Sequence, residues 1–249
     1  MSDYRNYIFD LYGTLIDIHT DERRKSFWSS FADSLKALGL HYRPGELQKL
    51  YLRLCARETE RMRKETGRDM VEIDLVPVFT ALCRNQGVEP SEADIVSIAR
   101  SFRGLSTFHL RLFAGVTEVL QTLRDQGKGI YLLSNAQKLF SDWEMGLLGL
   151  TPFFDGIFYS SDQGCRKPDL IFFERLLKQY GLKKSESVMI GNDYYDDIAP
   201  ALACGISGIY IPSPQTRRYD GPLPQGCLKL NAISEILKLQ QEVPTADRD

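Results

Sequence analysis

The chain has 249 residues, 43% hydrophobic and 26% charged, a balance that excludes a disordered segment and suits one large domain or a core with a smaller companion. A formal net charge of −2 and a pI near 6.0 leave no broad basic surface for phosphate backbones, so nucleic acid is not an expected partner. The five cysteines form no CxxC pair, no apolar stretch is long enough to cross a bilayer, and no signal-peptide pattern precedes residue 7, so a cytoplasmic protein with reduced thiols and no membrane contact is expected.

In chain order, the first element is "YIFDLYGTL", residues 7–15. An apolar strand over 7–9 ends on Asp10 and turns at Gly13 and Thr14. Residues 27–102 carry only helical patterns. Phe27, Phe31, Leu35 and Leu38 share one helical face, and Pro44 opens a second helix bearing Leu47, Leu50, Tyr51 and Leu54. A third helix follows the N-cap candidate Asp74, and Ser91 with Asp94 predicts a capping pair for a fourth.

After Gly115 the pattern alternates. Strands are expected over 130–133, 157–159, 188–190 and 209–211, with helices starting near Gln137, Asp169 and Asp196. Such alternation predicts an α/β fold, a doubly wound parallel sheet, with the helical block inserted between its first strand and the rest. The expected domains are a core of residues 1–16 and 113–249 and a smaller all-helical cap of 17–112, with hinges at 16–22 and 104–115. Residues 212–226 read as a surface loop, and the tail after Glu242 as frayed.

Ligands of such sheets bind at the carboxyl ends of the strands. That singles out Asp10, then Ser134 and Asn135, then Lys167, then "GNDYYDDI" at 191–198. Singly, each has a dull explanation: a turn former, helix caps, a solvated lysine, acids complementing a helix dipole. Jointly they are an acid nucleophile, a hydroxyl with an amide, a lysine and a paired acid cluster, the set required for phosphoryl transfer through an aspartyl intermediate.

In "DLYGTL", "LLSN", "RKPD" and "GNDYYDDIAPA", taken in this order, the sequence resembles the haloacid dehalogenase-like hydrolase superfamily over nearly the whole chain. The resemblance implies that Asp10 is the nucleophile, that Ser134 donates to a phosphoryl oxygen, that Lys167 neutralises charge on the transferring group, and that Leu11, Thr14 and Asn135 contact the substrate. It further implies a Mg2+ ion held by Asp10, Asp193, Asp197 and the backbone carbonyl of Tyr12. Three acids opposed by one lysine favour a bound cation.

Tyr12 departs from the pattern, because phosphatases of the superfamily usually carry a second Asp there as general acid; its absence predicts slow turnover, by about 10²- to 10⁴-fold. Tyrosine in DxYGT resembles instead the metal-independent 2-haloacid dehalogenases, whose halide-gripping arginine has no evident counterpart here, His41 standing near its expected place. The leading expectation is a magnesium-dependent phosphatase acting on a small phosphorylated substrate, as a monomer or homodimer, with Tyr12 counted among the catalytic residues. The alternatives are a 2-haloacid dehalogenase and a non-catalytic phosphate-binding protein. In the cap, Arg57, Arg61, Glu72 and Asp74 are charges with no assignable role.

Overall fold

The computed structural model describes residues 4–214 and 216–241; the frayed tail expected after Glu242 lies outside the described residues. The opening strand, β1 (Asn6–Phe9), is followed by β2 (Ile16–Thr20) and by four helices, α1 (Lys25–Leu35), α2 (Pro44–Thr66), α3 (Leu75–Asn85) and α4 (Glu92–Ser106). Then come β3 (Thr107–Leu112), α5 (Val116–Asp125), β4 (Gly129–Ser134), α6 (Lys138–Leu147), β5 (Gly156–Tyr159), α7 (Ser160–Gln163) and α8 (Leu170–Tyr180). The chain continues through β6 (Ser187–Gly191), a π-helical turn (Tyr194–Ile198), α9 (Ala199–Ala203), β7 (Ser207–Tyr210), β8 (Cys227–Lys229) and α10 (Ile236–Gln241).

Six strands form one parallel sheet in the order β5-β4-β1-β6-β7-β8. Both faces are covered, so the strands alternate between two apolar layers rather than between core and water. Tyr7, Phe9, Ile130, Leu132, Val188 and Ile190 pack with α5 on one face. Ile8, Leu133 and Met189 pack with Phe172, Phe173 and Leu176 of α8 on the other. From β1 the chain runs outward through β4 and β5, then crosses to β6 on the opposite side of β1. This change of direction opens a crevice at the carboxyl ends of β4, β1 and β6, where a parallel sheet holds its ligands.

The helices α1–α4 share a separate aromatic cluster of Phe27, Trp28, Phe31, Tyr51, Phe79 and Phe102. Its local signals act as read: Pro44 stands in the first turn of α2, Asp74 accepts from the Val76 amide, and Ser91 with Asp94 completes a capping box. From the sheet layers, α6 adds Phe140 to the cluster and packs Leu139 against it. Phe140 of α6 stacks on Phe102 with ring centroids 6.0 Å apart.

The segments read as hinges are ordered as a ribbon, β2 pairing antiparallel with β3. The sixth sheet strand, β8, also had no sequence assignment; it is three residues long and follows the loop of 212–226. The helix expected from Asp196 begins instead as the π turn from Tyr194 and becomes α-helical only at Ala199.

Candidate active site

Asp10 leaves β1 at the crevice, its amide still bonded to the Ile190 carbonyl at 2.9 Å. The loop after it folds back sharply at Gly13, where φ is +87° and a Cβ would stand 2.1 Å from the Asn192 amide nitrogen. Only glycine meets both demands. The tight turn lets Thr14 bond back to Asp10 Oδ2 at 3.2 Å and to Asn192 Oδ1 at 3.3 Å.

Lys167 is the centre of the site. Its ammonium is fully buried and donates to Asp10 Oδ1 at 2.7 Å, Asp197 Oδ1 at 2.6 Å and the Leu133 carbonyl at 2.9 Å. Burial works against that charge, yet the two carboxylates outweigh it and hold the Lys167 pKa above the ordinary lysine range. Burial likewise pushes the Asp197 carboxyl upward, against the pull of Lys167. Asn135 fixes the backbone of the lysine from both sides, donating to its carbonyl at 3.0 Å and accepting from its amide at 2.8 Å.

The π turn sets the fourth group. Asp193 caps it, Oδ1 accepting from the Tyr195 and Asp196 amides, while Asp197 Oδ2 accepts from the Asp193 amide at 2.9 Å. Asp197 therefore points back at Lys167. The approach is so close that a Cβ on Gly191 would lie 2.4 Å from the Asp197 carboxyl carbon.

Asp10, Tyr12, Ser134, Asn135, Lys167, Asp193 and Asp197 all line one cavity of about 160 Å³. Asn192, Asp196 and Thr216 complete its wall. Among the described residues, two buried polar atoms on residues of this cavity, Ser134 Oγ and Asn192 Nδ2, have no hydrogen-bond partner. An unpaired buried donor costs about 1–3 kcal/mol, so a ligand that accepts from them would recover that cost. Leu11 and Thr14 do not line it: the Leu11 side chain is buried in the sheet core, and Thr14 supports Asp10 and Asn192 from behind.

For a cation, the donors fit in kind, being carboxylate and carbonyl oxygens suited to a hard ion such as Mg2+. Their arrangement is held by the lysine, and among the described residues no three His, Cys, Asp or Glu side chains stand ready-grouped around an ion.

The Tyr12 hydroxyl is held by α6. The phenol donates to Glu144 Oε2 and bonds Ser141 Oγ at 2.7 Å, both on α6. Glu144 is in turn paired with Arg103 of α4 at 2.5 Å. Burial and the Glu144 charge raise the Tyr12 pKa well beyond the usual phenol range. Sequence reasoning missed Asn192, Ser141, Glu144 and Arg103. Asn192 had a signal, as the first polar residue after β6; the other three lie far from any motif and carried none.

The family model for haloacid dehalogenase-like hydrolases matches residues 4–205. A glyceraldehyde 3-phosphate phosphatase of Methanothermobacter thermautotrophicus is 31% identical over 145 residues, which cover 55% of this chain and 64% of that protein. A ribulose-1,5-bisphosphate 5-phosphatase of Halopiger xanaduensis is 27% identical over 156 residues, 62% of this chain and 65% of that protein. The chain thus spans just under two thirds of these relatives. Among solved structures, a 2-haloacid dehalogenase of Pseudomonas syringae matches 96% of this chain and 98% of its own, with a TM-score of 0.64 at 19% identity. A HAD phosphatase of Thermococcus onnurineus matches 95% and 97%, with a TM-score of 0.60 at 16% identity. At such identities the two structures report the fold and not the reaction.

Proposed function

The chain belongs to the haloacid dehalogenase-like hydrolases, and on that premise we propose that it is a magnesium-dependent phosphatase of small phosphomonoesters, with Asp10 as its nucleophile and residues 17–112 as a cap over the site. The observation that carries this reading is the pair of unpartnered buried polar atoms, Ser134 Oγ and Asn192 Nδ2, on residues that line the same cavity as Lys167. A phosphoryl group presents several anionic oxygens and would engage all three.

In the reaction, Lys167 and Thr14 aim the Asp10 carboxylate, and an Asp10 oxygen attacks phosphorus in line with the departing ester oxygen. Ser134, Asn192 and Lys167 hold the transferring oxygens, and water then hydrolyses the aspartyl ester. Asp10, Asp193, Asp197 and the Tyr12 carbonyl would hold Mg2+, which when bound neutralises charge on the phosphoryl oxygens. Tyr12 keeps its proton and leaves the leaving group without a side-chain acid at that position, which makes turnover slow.

The dehalogenase reading draws support from Tyr12 in DxYGT, but among the described residues lining the two cavities no arginine is free for the haloacid carboxylate. His41 is exposed and lines neither the Asp10 cavity nor the one beside it, and Arg103 is engaged by Glu144. The test is a panel of phosphate esters and 2-haloacids scored for phosphate and halide, with and without Mg2+, using Asp10→Asn as blank. Magnesium-dependent phosphate release that the blank lacks is expected. Halide release without metal would replace this reading by the dehalogenase one.

A further inference from the structure

A second cavity, of about 470 Å³, shares Tyr12 and Asn135 with the one around Asp10 and extends between α6 and the helical block. On the phosphatase reading, on which this inference rests, an ester held at Asp10 sends its alcohol part past Tyr12 into this space. The charges there are this chain's own, and they are unbalanced. The charged side chains lining it are Glu22, Glu72 and Arg103.

Arg103 is already neutralised by Glu144 at 2.5 Å. Gln137 is also fully engaged: its amide nitrogen donates to Glu72 at 2.9 Å and to the Ile73 carbonyl at 2.7 Å, and its oxygen accepts from the Leu75 amide at 3.1 Å. Besides that neutral amide, Glu72 pairs with a cation at 4.0 Å, the half-exposed Arg166. Among the described residues, no hydrogen bond or ion pair engages the Glu22 carboxylate. Burial pushes both glutamates above the ordinary carboxylate range, outweighing the pull of Arg103 on Glu22 and of Arg166 and Gln137 on Glu72.

We propose that the substrate is a phosphomonoester whose alcohol part presents hydrogen-bond donors, an ammonium or several hydroxyls, and carries no second anion, and that Glu22 and Glu72 select it. Carboxylates in a confined space accept such donors, and they repel a carboxylate or second phosphate by like charge. No lining cation is free to offset that repulsion.

The test measures binding to the full-length Asp10→Asn protein with Mg2+ by calorimetry, using 2-aminoethyl phosphate, glycerol phosphate and phosphoglycolate. The first two are expected to bind at least about tenfold tighter than the third. Their own order assigns the donor as ammonium or hydroxyl. Adding Glu22→Gln and Glu72→Gln should shrink the gap to within about threefold, with retained binding of inorganic phosphate showing the site intact. Equal or tighter binding of phosphoglycolate, or a gap that survives both substitutions, overturns the inference. Selective binding without phosphate release from the unsubstituted protein strikes the phosphatase reading and leaves the pocket assignment standing.

Discussion

Tyr12 shows how a side chain two residues after the proposed nucleophile can do structural work. Its phenol joins the nucleophile loop to α6 through Ser141 and Glu144, and its raised pKa keeps the proton fixed. Tyr12→Phe should therefore leave kcat and its pH profile within about threefold of the unsubstituted protein, while costing about 1–2 kcal/mol of stability in urea unfolding. Tyr12→Asp should supply the missing acid and raise kcat on an alkyl phosphate by about 10²-fold or more, with Glu144 still paired to Arg103. A variant no faster than the unsubstituted protein would sever turnover from the identity of this residue. Asp10, Ser134 and Lys167 were legible because each ends or follows a strand at the crevice. Glu144 was not, because a buried acid on an amphipathic helix differs from a surface one only through partners distant in sequence. Gly13 was legible as a turn, but its close approach is to Asn192, just past β6 and 178 residues beyond Thr14.

Between residue and whole lie the elements, and the ribbon β2–β3, like the short strand β8, was concealed in the sequence. Ile16, Ile18, Leu110 and Leu112 pack against the sheet core while Asp17 and Arg111 alternate with them, a period of two. Five and six residues flanked by helices and a turn gave that period too little length to stand out. The parallel strands were easier, since both their faces are apolar and the runs are bounded by polar residues. On the ribbon, Asp17 accepts from Arg111 at 2.9 Å and bonds His109 at 2.9 Å, and these hydrogen bonds, His109 first, hold its carboxyl below the usual range. The sign follows from linkage: a carboxyl whose pKa is lower folded than unfolded stabilises the fold above its unfolded value of ~3.9, and that contribution fades as pH falls through the folded value. Asp17→Asn should accordingly cost about 0.5–1 kcal/mol at pH 7, modest because Arg111 is exposed, and the difference should shrink below pH ~3.5. Urea midpoints of both proteins across that range check it; a gap that widens in acid would reverse the assignment.

At the scale of the whole molecule, the aromatic cluster of α1–α4 gives the helical block a core separate from those of the sheet, and its contacts with the sheet layers differ in strength from one side to the other. Near the ribbon, Phe140 stacks on Phe102 and the buried Arg103–Glu144 pair spans α4 and α6. Across the cleft the ion pair is more exposed, Arg68, just past α2, meeting Asp169 at 2.8 Å, and beside it Gln137 makes neutral-amide hydrogen bonds to Glu72 at 2.9 Å, the Ile73 carbonyl at 2.7 Å and the Leu75 amide at 3.1 Å. A buried pair that loses one partner costs about 3–5 kcal/mol, whereas exposed pairs are worth about 0–1 kcal/mol. Opening should therefore pivot on the ribbon side and part on the Arg68 side, admitting substrate beside Lys167. Orthovanadate with Mg2+, a tetrahedral anion that mimics the phosphoryl group, should slow amide exchange in residues 68–74 and 135–138, which face each other across the cleft, and leave the amides of Phe31 and Phe102 unchanged. Arg68→Ala should speed exchange at 68–74 in the free protein, with vanadate restoring most of the protection. Exchange at 68–74 that ignores both the anion and the substitution would show the block to be fixed, and substrate entry would then have to run through the cavity lined by Glu22 and Glu72 without any parting of the two bodies.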